Sequence, residues 1–411
     1  MLRIVVFATA LLFGFGVRAE HAFPRLMGMN IGAKNYEVAG YQQDMAKLDV
    51  LILGFYRGWS NANRDMRSVV QTLKLSNPDL LVGQYTILNE ANDDPTNVAM
   101  QDVRYKLNHE NWWLRRADGS RAQWTSIYGA WDINYTEWSK TDFNGKRYPE
   151  WLAERDFGVF FNPVPEFDIW YFDNVFTKPR IRNADWDLDG RDDSSDDVRV
   201  GAAVRRGQVS EWSRARQLAP ATLLMGNADN DLSAPEFRGR LQGVFLEGMM
   251  GKSWSPERRL GWQKMMESYH TVFNNLAPPK LVGFNVAGKP DDYRFFRYAF
   301  TSCLLDDGYF SFTDEKVGYS SVPWFDEYDF KLGKAISPPQ TKPWRDAVYR
   351  RDFEHGVVLL NPAQTPAKVN VGRGFRHLKG SQAPLINTGQ SANEVLIPPR
   401  DGLVLAREAK E

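Results

Sequence analysis

Along this chain of 411 residues the apolar positions gather into short continuous runs separated by helix-sized, mostly polar segments. Eight runs recur, at residues 25–31, 50–56, 80–88, 167–176, 222–227, 243–247, 281–286 and 308–312. Their aliphatic and aromatic content predicts strands, and apolar character on successive residues predicts burial on both faces. The spacing between them predicts helices. One covers 61–76, with Met66, Val69, Val70, Leu73 and Leu75 close to helical period and Asn77-Pro78 as its stop. A second covers 258–276, through Leu260, Trp262, Met265, Met266, Tyr269 and Phe273. A third, 293–305, leads into the last run. Strands alternating with helices predict a parallel sheet. Eight of them predict its closure, so the expected class is α/β, a (β/α)8 TIM barrel.

Two stretches depart from this rhythm. Residues 89–166 form an insertion between the third and fourth runs, with a strand-turn-strand pattern about Asp118-Gly119. On the carboxyl side of a barrel such an insertion shapes a cleft or packs as a lid, and its tryptophans fit either role. After Phe312 the texture turns rich in Gly, Pro, Ser and aromatics, and residues 324–329 are placed to reach back over the barrel mouth. From Ala347 onward short strands alternate with turns. The expected division is a signal peptide at 1–19, a barrel at 20–342 and a small antiparallel, β-sandwich-like domain at 343–411.

The leader rests on Arg3, an apolar stretch over 4–17, and the small residues Val17 and Ala19 about a cleavage point. It is too short to span a membrane comfortably. The expected location is secreted or periplasmic, with no membrane contact after cleavage; an uncleaved anchor is the alternative. Lys plus Arg and Asp plus Glu are both 51, which argues against a nucleic-acid or anionic-membrane partner. The single cysteine, Cys303, allows no intramolecular disulfide and reads as a small buried hydrophobe. A monomer is expected. The five histidines show no metal-ligand spacing. No nucleophile-elbow, P-loop or dinucleotide motif is present, so no organic cofactor is expected.

The candidate chemistry lies in carboxylates at run ends. Asp173 closes the fourth run, in WYFDNVF, and Glu247 closes the sixth, in FLEG. Alone, Asp173 reads first as a cap for the next helix or turn, and Glu247 equally well as a loop salt bridge. Two acids at different strand ends of one barrel can face each other across its mouth, which glycoside hydrolysis requires. Asn174 beside Asp173 favours a charged nucleophile. The apolar neighbours of Glu247 favour a raised pKa and a general acid/base, although the opposite assignment stays open. Asn30, Tyr85, Asn174, Asn227, Asp229 and Asn285 lie near run ends, where they can hydrogen-bond sugar hydroxyls or simply cap turns.

A second motif runs from Asp185 to Asp196. Asp185, Asp187, Asp189, Arg191, Asp193 and Asp196 occupy the ligand positions of a D-x-D-x-D-G calcium loop, with Arg191 offering its carbonyl. Asp stands where Glu is usual at the twelfth position, and no clear helices flank the loop. A structural calcium ion pinning the loop after the fourth run is the functional expectation; a solvated acidic loop is the alternative.

The WYFDNVF and FLEG stretches resemble hypothetical, glycoside-hydrolase-like barrel families, as do residues 324–334 (WFDEYDFKLGK) and the R-x-F-x-x-G-x-V-L-x-N-P pattern at 351–362. In plan they are similar to the endo-α-1,4-polygalactosaminidases. The resemblance implies a (β/α)8 barrel with a C-terminal β domain, polysaccharide or oligosaccharide hydrolysis, and Asp173 with Glu247 as the catalytic pair. A catalytically silent carbohydrate-binding protein on the same barrel is the competing class, and a secretion accessory protein a third.

Overall fold

The computed structural model describes residues 22–31, 36–55, 65–228 and 232–408. The leader at 1–19 lies outside them. Eight parallel strands follow the eight apolar runs: β1 (Met27–Asn30), β2 (Val50–Leu53), β3 (Leu81–Ile87), β4 (Ile169–Val175), β5 (Leu223–Ala228), β6 (Gly243–Met250), β7 (Leu281–Gly288) and β8 (Tyr309–Asp314). Each pairs with the next in chain order. A parallel bridge between Leu26 and Phe310 joins the last strand to the first and closes the ring. The fold is a TIM barrel.

Both faces of the strands are buried, but the alternation of pleated strands still sorts them. Met27, Met29, Val50, Ile52, Leu81, Tyr85, Ile169, Tyr171, Met225 and Phe245 pack together inside the barrel. Leu51, Leu53, Val82, Trp170, Phe172, Leu224 and Val244 point outward into the larger core beneath the helices. Each inward residue steps two positions along its strand. Asp173 therefore continues the row Ile169, Tyr171, and Glu247 follows Phe245. The parity of the strands aims both acids at the mouth.

The outer layer includes α1 (Ala39–Met45), α2 (Met66–Ser76), α3 (Gln101–Glu110), α4 (Tyr148–Asp156) and the long α5 (Val198–Leu218). Where the spacing predicts one helix over 258–276, the structure has two, α6 (Pro256–Leu260) and α7 (Trp262–Val272). Gly261 separates them at φ 88°, which a side chain rarely adopts. The aromatic α8 (Tyr293–Leu304) leads into β8 and buries Cys303. Residues 324–329 do not cover the mouth. Phe325 stacks on Phe296 of α8 at 3.7 Å, and Glu327 accepts a hydrogen bond from Asn387 at 2.9 Å, so the segment is held on the barrel flank. No helix of the described residues is long and apolar enough to cross a membrane.

The 89–166 insertion builds its own core with Trp112, Trp113, Leu107 and Leu152, and shares it with Trp186 and Val204 from beyond β4. Its paired tryptophans are core residues. The turn at Asp118-Gly119 forms as expected, with Arg115 bridged to Arg121. At the C-terminus, β9 (Tyr349–Asp352), β10 (Gly356–Asn361), β12 (Phe375–His377) and β14 (Asp401–Arg407) make one antiparallel sheet, while β11 (Ala367–Asn370) pairs with β13 (Glu394–Ile397). The β12 strand buries only Phe375. This unit docks on α8, where buried Arg297 holds Asp401 with two hydrogen bonds of 3.0 and 2.8 Å.

Candidate active site

Two irregularities shape the carboxyl ends of the strands. On β4, Phe172 pairs with Gly226 and Val175 with Ala228, so three steps on one strand oppose two on its neighbour. Asn174 takes up the extra residue at φ 57°. On β6 a similar register break falls between Leu246 and Met250, with Gly248 at φ 61°. Such bulges re-aim the side chains beside them. Here they follow Asp173 and Glu247 directly.

The two half-buried carboxylates share a donor. The Asn227 side-chain nitrogen on β5 donates to Asp173 Oδ1 and to Glu247 Oε2, each at 2.9 Å. The two oxygens are thus at most twice that distance, 5.8 Å, apart. The two N–H bonds of a planar amide diverge by roughly 120°, which sets the oxygens about 5 Å from each other. The Tyr85 hydroxyl donates to Asp173 Oδ2, and the Tyr319 hydroxyl donates to Glu247 Oε1. Among the described residues no lysine, arginine or histidine forms a salt bridge with either acid.

The sequence argument from Asn174 predicts an Asp173 held in its charged form. Burial works against it and raises the Asp173 carboxyl above the usual range. Hydrogen bonds from Tyr85, Asn227 and the Asn174 backbone oppose that rise, and the nearby Glu247 charge adds to it. Burial and Glu247 together push the Tyr319 phenol well up, so it remains a hydroxyl donor.

The candidate sugar-binding residues separate into groups. Tyr85, Asn174 and Asn227 stand at the mouth around Asp173. Asn30 does not: Met29 faces the barrel interior, so Asn30 faces out, where it donates to the Tyr41 hydroxyl at 2.7 Å. Asn285 lies beneath the site. Its oxygen accepts from the Gly248 backbone at 3.0 Å and its nitrogen donates to Thr313 at 2.9 Å, so it supports the turn after Glu247 rather than facing a ligand. Asp229 lies outside the described residues. Tyr319 is a site residue that the run-end pattern misses, because it comes from the irregular segment after β8.

In the acidic loop, carboxylate oxygens of Asp185, Asp187 and Asp193 converge within 4.8 Å of one another, a donor set suited to a hard cation. The other expected carboxylates, Asp189 and Asp196, do not join them. Asp189 accepts from the Arg191 amide at 2.8 Å, and Asp196 pairs with Lys178 at 3.0 Å. Arg199 bridges Asp187 and Asp193 at 2.5 and 3.0 Å, supplying positive charge beside them. The loop is tied to the insertion, since Asp192 accepts from the Ala117 amide at 2.7 Å.

A closed eight-stranded barrel with facing carboxylates at the carboxyl ends of its strands has the plan of a glycoside-hydrolase-like protein. The chain belongs to the hypothetical glycosyl hydrolase family 15, whose profile matches residues 74–357. Among solved structures it is similar to a GH27 β-L-arabinopyranosidase from Geobacillus stearothermophilus, with TM-score 0.51 and 9% identity over 94% of this chain and 96% of that one. It is also similar to an uncharacterized Listeria monocytogenes protein in complex with glucose, magnesium and calcium, with TM-score 0.52 and 10% identity over 93% of this chain and 41% of that one. The glycoside hydrolase domain of PelA from Pseudomonas aeruginosa matches with TM-score 0.45 and 12% identity, over 72% of this chain and 98% of that one. At these identities the likeness bears on the fold alone. No curated protein sequence matches the chain.

Proposed function

We propose that the chain is an exported glycoside hydrolase that cleaves a polysaccharide through a retaining, two-carboxylate mechanism. The observation that carries this reading is the shared donor, Asn227. It holds one oxygen of Asp173 and one of Glu247 within 5.8 Å of each other, which supports a retaining pair, typically about 5–5.5 Å apart, over an inverting pair at roughly 6.5–9.5 Å.

Asp173 is the nucleophile in this account. Tyr85, Asn227 and the Asn174 amide direct three donors at it, which fixes its oxygens and supports the anion against its burial. Glu247 is the general acid/base, because it lines an open groove with Trp254, Pro256 and Arg259, where a leaving group departs and water enters. In the first step protonated Glu247 gives its proton to the glycosidic oxygen. Asp173 attacks the anomeric carbon, and the bond to the leaving group breaks. In the second, Glu247 takes a proton from water, the water oxygen attacks the same carbon, and the ester to Asp173 breaks. Tyr319 holds Glu247 in line for both transfers.

We also propose that the Asp185–Asp196 loop takes a calcium ion through Asp185, Asp187 and Asp193, with Arg199 displaced on binding. The role is structural, since the loop anchors the insertion. The hydrolase reading is tested by incubating the purified protein with a panel of polysaccharides and assaying new reducing ends, with Asp173→Asn as control. Release by the wild type alone supports the reading; equal release by both contradicts it.

A further inference from the structure

Among the described residues most tryptophans are buried or partly covered. Among the described residues only Trp124 and Trp254 are well exposed, at 44% and 46%, and both stand over the carboxyl ends of the barrel strands. An exposed indole costs solvation and packs no core, so two of them on one rim need an account other than core filling.

Trp254 lies against the backbone immediately after Glu247. A Cβ at Gly248 would collide with its six-membered ring, so the glycine lets the indole approach the turn closely. The ring and Glu247 line the same groove. Trp124 belongs to the insertion, on the side of β3 and β4. Its indole nitrogen donates to Glu90 at 2.9 Å, just beyond β3. The Arg180 guanidinium, from the segment after β4, lies over the Trp124 ring at 4.5 Å. Tyr128, 63% exposed, stands 6.2 Å from Trp124 between ring centroids. The Asn92 side chain donates to the Tyr128 carbonyl at 3.2 Å, tying the pair to the segment just beyond β3, whose neighbour β4 carries Asp173. Arg180 is itself fixed by Glu90 at 2.7 Å and Asp132 at 3.4 Å, so the platform is braced from behind.

We infer that the mouth is a cleft binding an extended polysaccharide on both sides of the scissile bond, with one sugar face stacked on Trp254 and another on the Trp124–Tyr128 pair. Pyranose rings present flat C–H faces that suit indole and phenol surfaces. Platforms on two sides of Asp173 and Glu247 serve internal units of a chain rather than a terminal residue alone. The inference rests on the hydrolase reading and adds an endo mode of cleavage to it.

The test separates the two claims. Full-length Glu247→Gln protein is run by affinity electrophoresis through gels containing soluble glucans, galactans, mannans, xylans, or polymers of N-acetylgalactosamine and N-acetylglucosamine. Retardation by at least one polymer and not by its monosaccharide is expected. Adding Trp254→Ala or Trp124→Ala should each weaken that retardation about tenfold, as loss of a central aromatic contact does, while Trp254→Phe keeps most of it. Wild-type melting temperatures in the variants exclude misfolding. Binding to no polymer, or unchanged binding in both alanine variants, overturns the cleft. If the polymer binds through the tryptophans and the wild type releases no reducing ends, the hydrolase reading fails and the cleft stands. If the wild type cleaves and neither Trp254→Ala nor Trp124→Ala, each made in the protein with Glu247 intact, changes the product lengths, the cleft fails and the hydrolase stands.

Discussion

Asp173 and Glu247, on strands two apart in the barrel, accept hydrogen bonds from a single amide nitrogen, each at 2.9 Å. Asn227 on the intervening strand thereby sets their separation. It also places a donor between two groups that would otherwise repel. Asn227→Ala should lower kcat/KM by about 10²-fold, the scale of losing a preorganised donor. Asn227→Asp should cost more, because a third carboxylate replaces the donor. Melting temperature should change little in the alanine variant. Steady-state kinetics on an aryl glycoside checks this, and near-wild-type kcat/KM in both variants would contradict it.

The raised Asp173 carboxyl has a consequence for pH dependence. A nucleophile must be ionised, so the acid limb of kcat/KM should fall above the ordinary aspartate value of about 3.9. Tyr85 opposes the rise by donating to the anion. Tyr85→Phe should therefore move the acid limb to higher pH, with the basic limb unchanged. A shift toward lower pH would contradict the assignment.

Glu211 on α5 is buried, and its Oε1 has no hydrogen-bond partner. Burial, then the charge of Asp156, pushes its carboxyl well above the ordinary value. A carboxyl raised in the folded state contributes stability that is complete below its unfolded pKa of about 4.5 and is lost as pH rises through the folded pKa. Each pH unit in that window costs about 1.4 kcal/mol. Glu211→Gln removes this dependence. Denaturant titrations of the two proteins should give nearly equal stabilities at pH 4 and a gap in favour of glutamine that widens toward pH 7. A constant gap would contradict the burial argument.

Calcium should raise the melting temperature of the full-length protein, and a chelator should reverse it, since binding to the folded state alone stabilises by mass action. Asp187→Ala should abolish the response, because Asp187 lies in the converging group whereas Asp189 and Asp196 do not. A chelator-insensitive melting curve in the wild type would remove calcium from the account.

The barrel was legible because burial on both faces of each strand leaves a continuous apolar run, and all eight runs became strands. What the runs do not carry is parity. Asn30 and Asn227 look alike as polar residues near run ends, yet one step in register sends Asn30 outward to Tyr41 while Asn227 reaches the mouth. Tyr319 was hidden for another reason. It lies 72 residues from Glu247 in a stretch with no period, so only three-dimensional closure brings them together. Gly261 was a readable signal that the apolar spacing over 258–276 obscures. Phe375 is the one buried residue of β12, too little pattern to mark a strand.

The central claim is that Asp173 and Glu247 divide nucleophile and acid/base roles. It is tested most directly by azide rescue of alanine variants on an activated aryl glycoside, with the anomeric configuration of the product read by NMR. The account predicts that Asp173→Ala is rescued to a glycosyl azide of inverted configuration, while Glu247→Ala is rescued to one of retained configuration. The reverse pattern would exchange the roles, and no loss of activity in either variant before azide is added would remove the pair from catalysis.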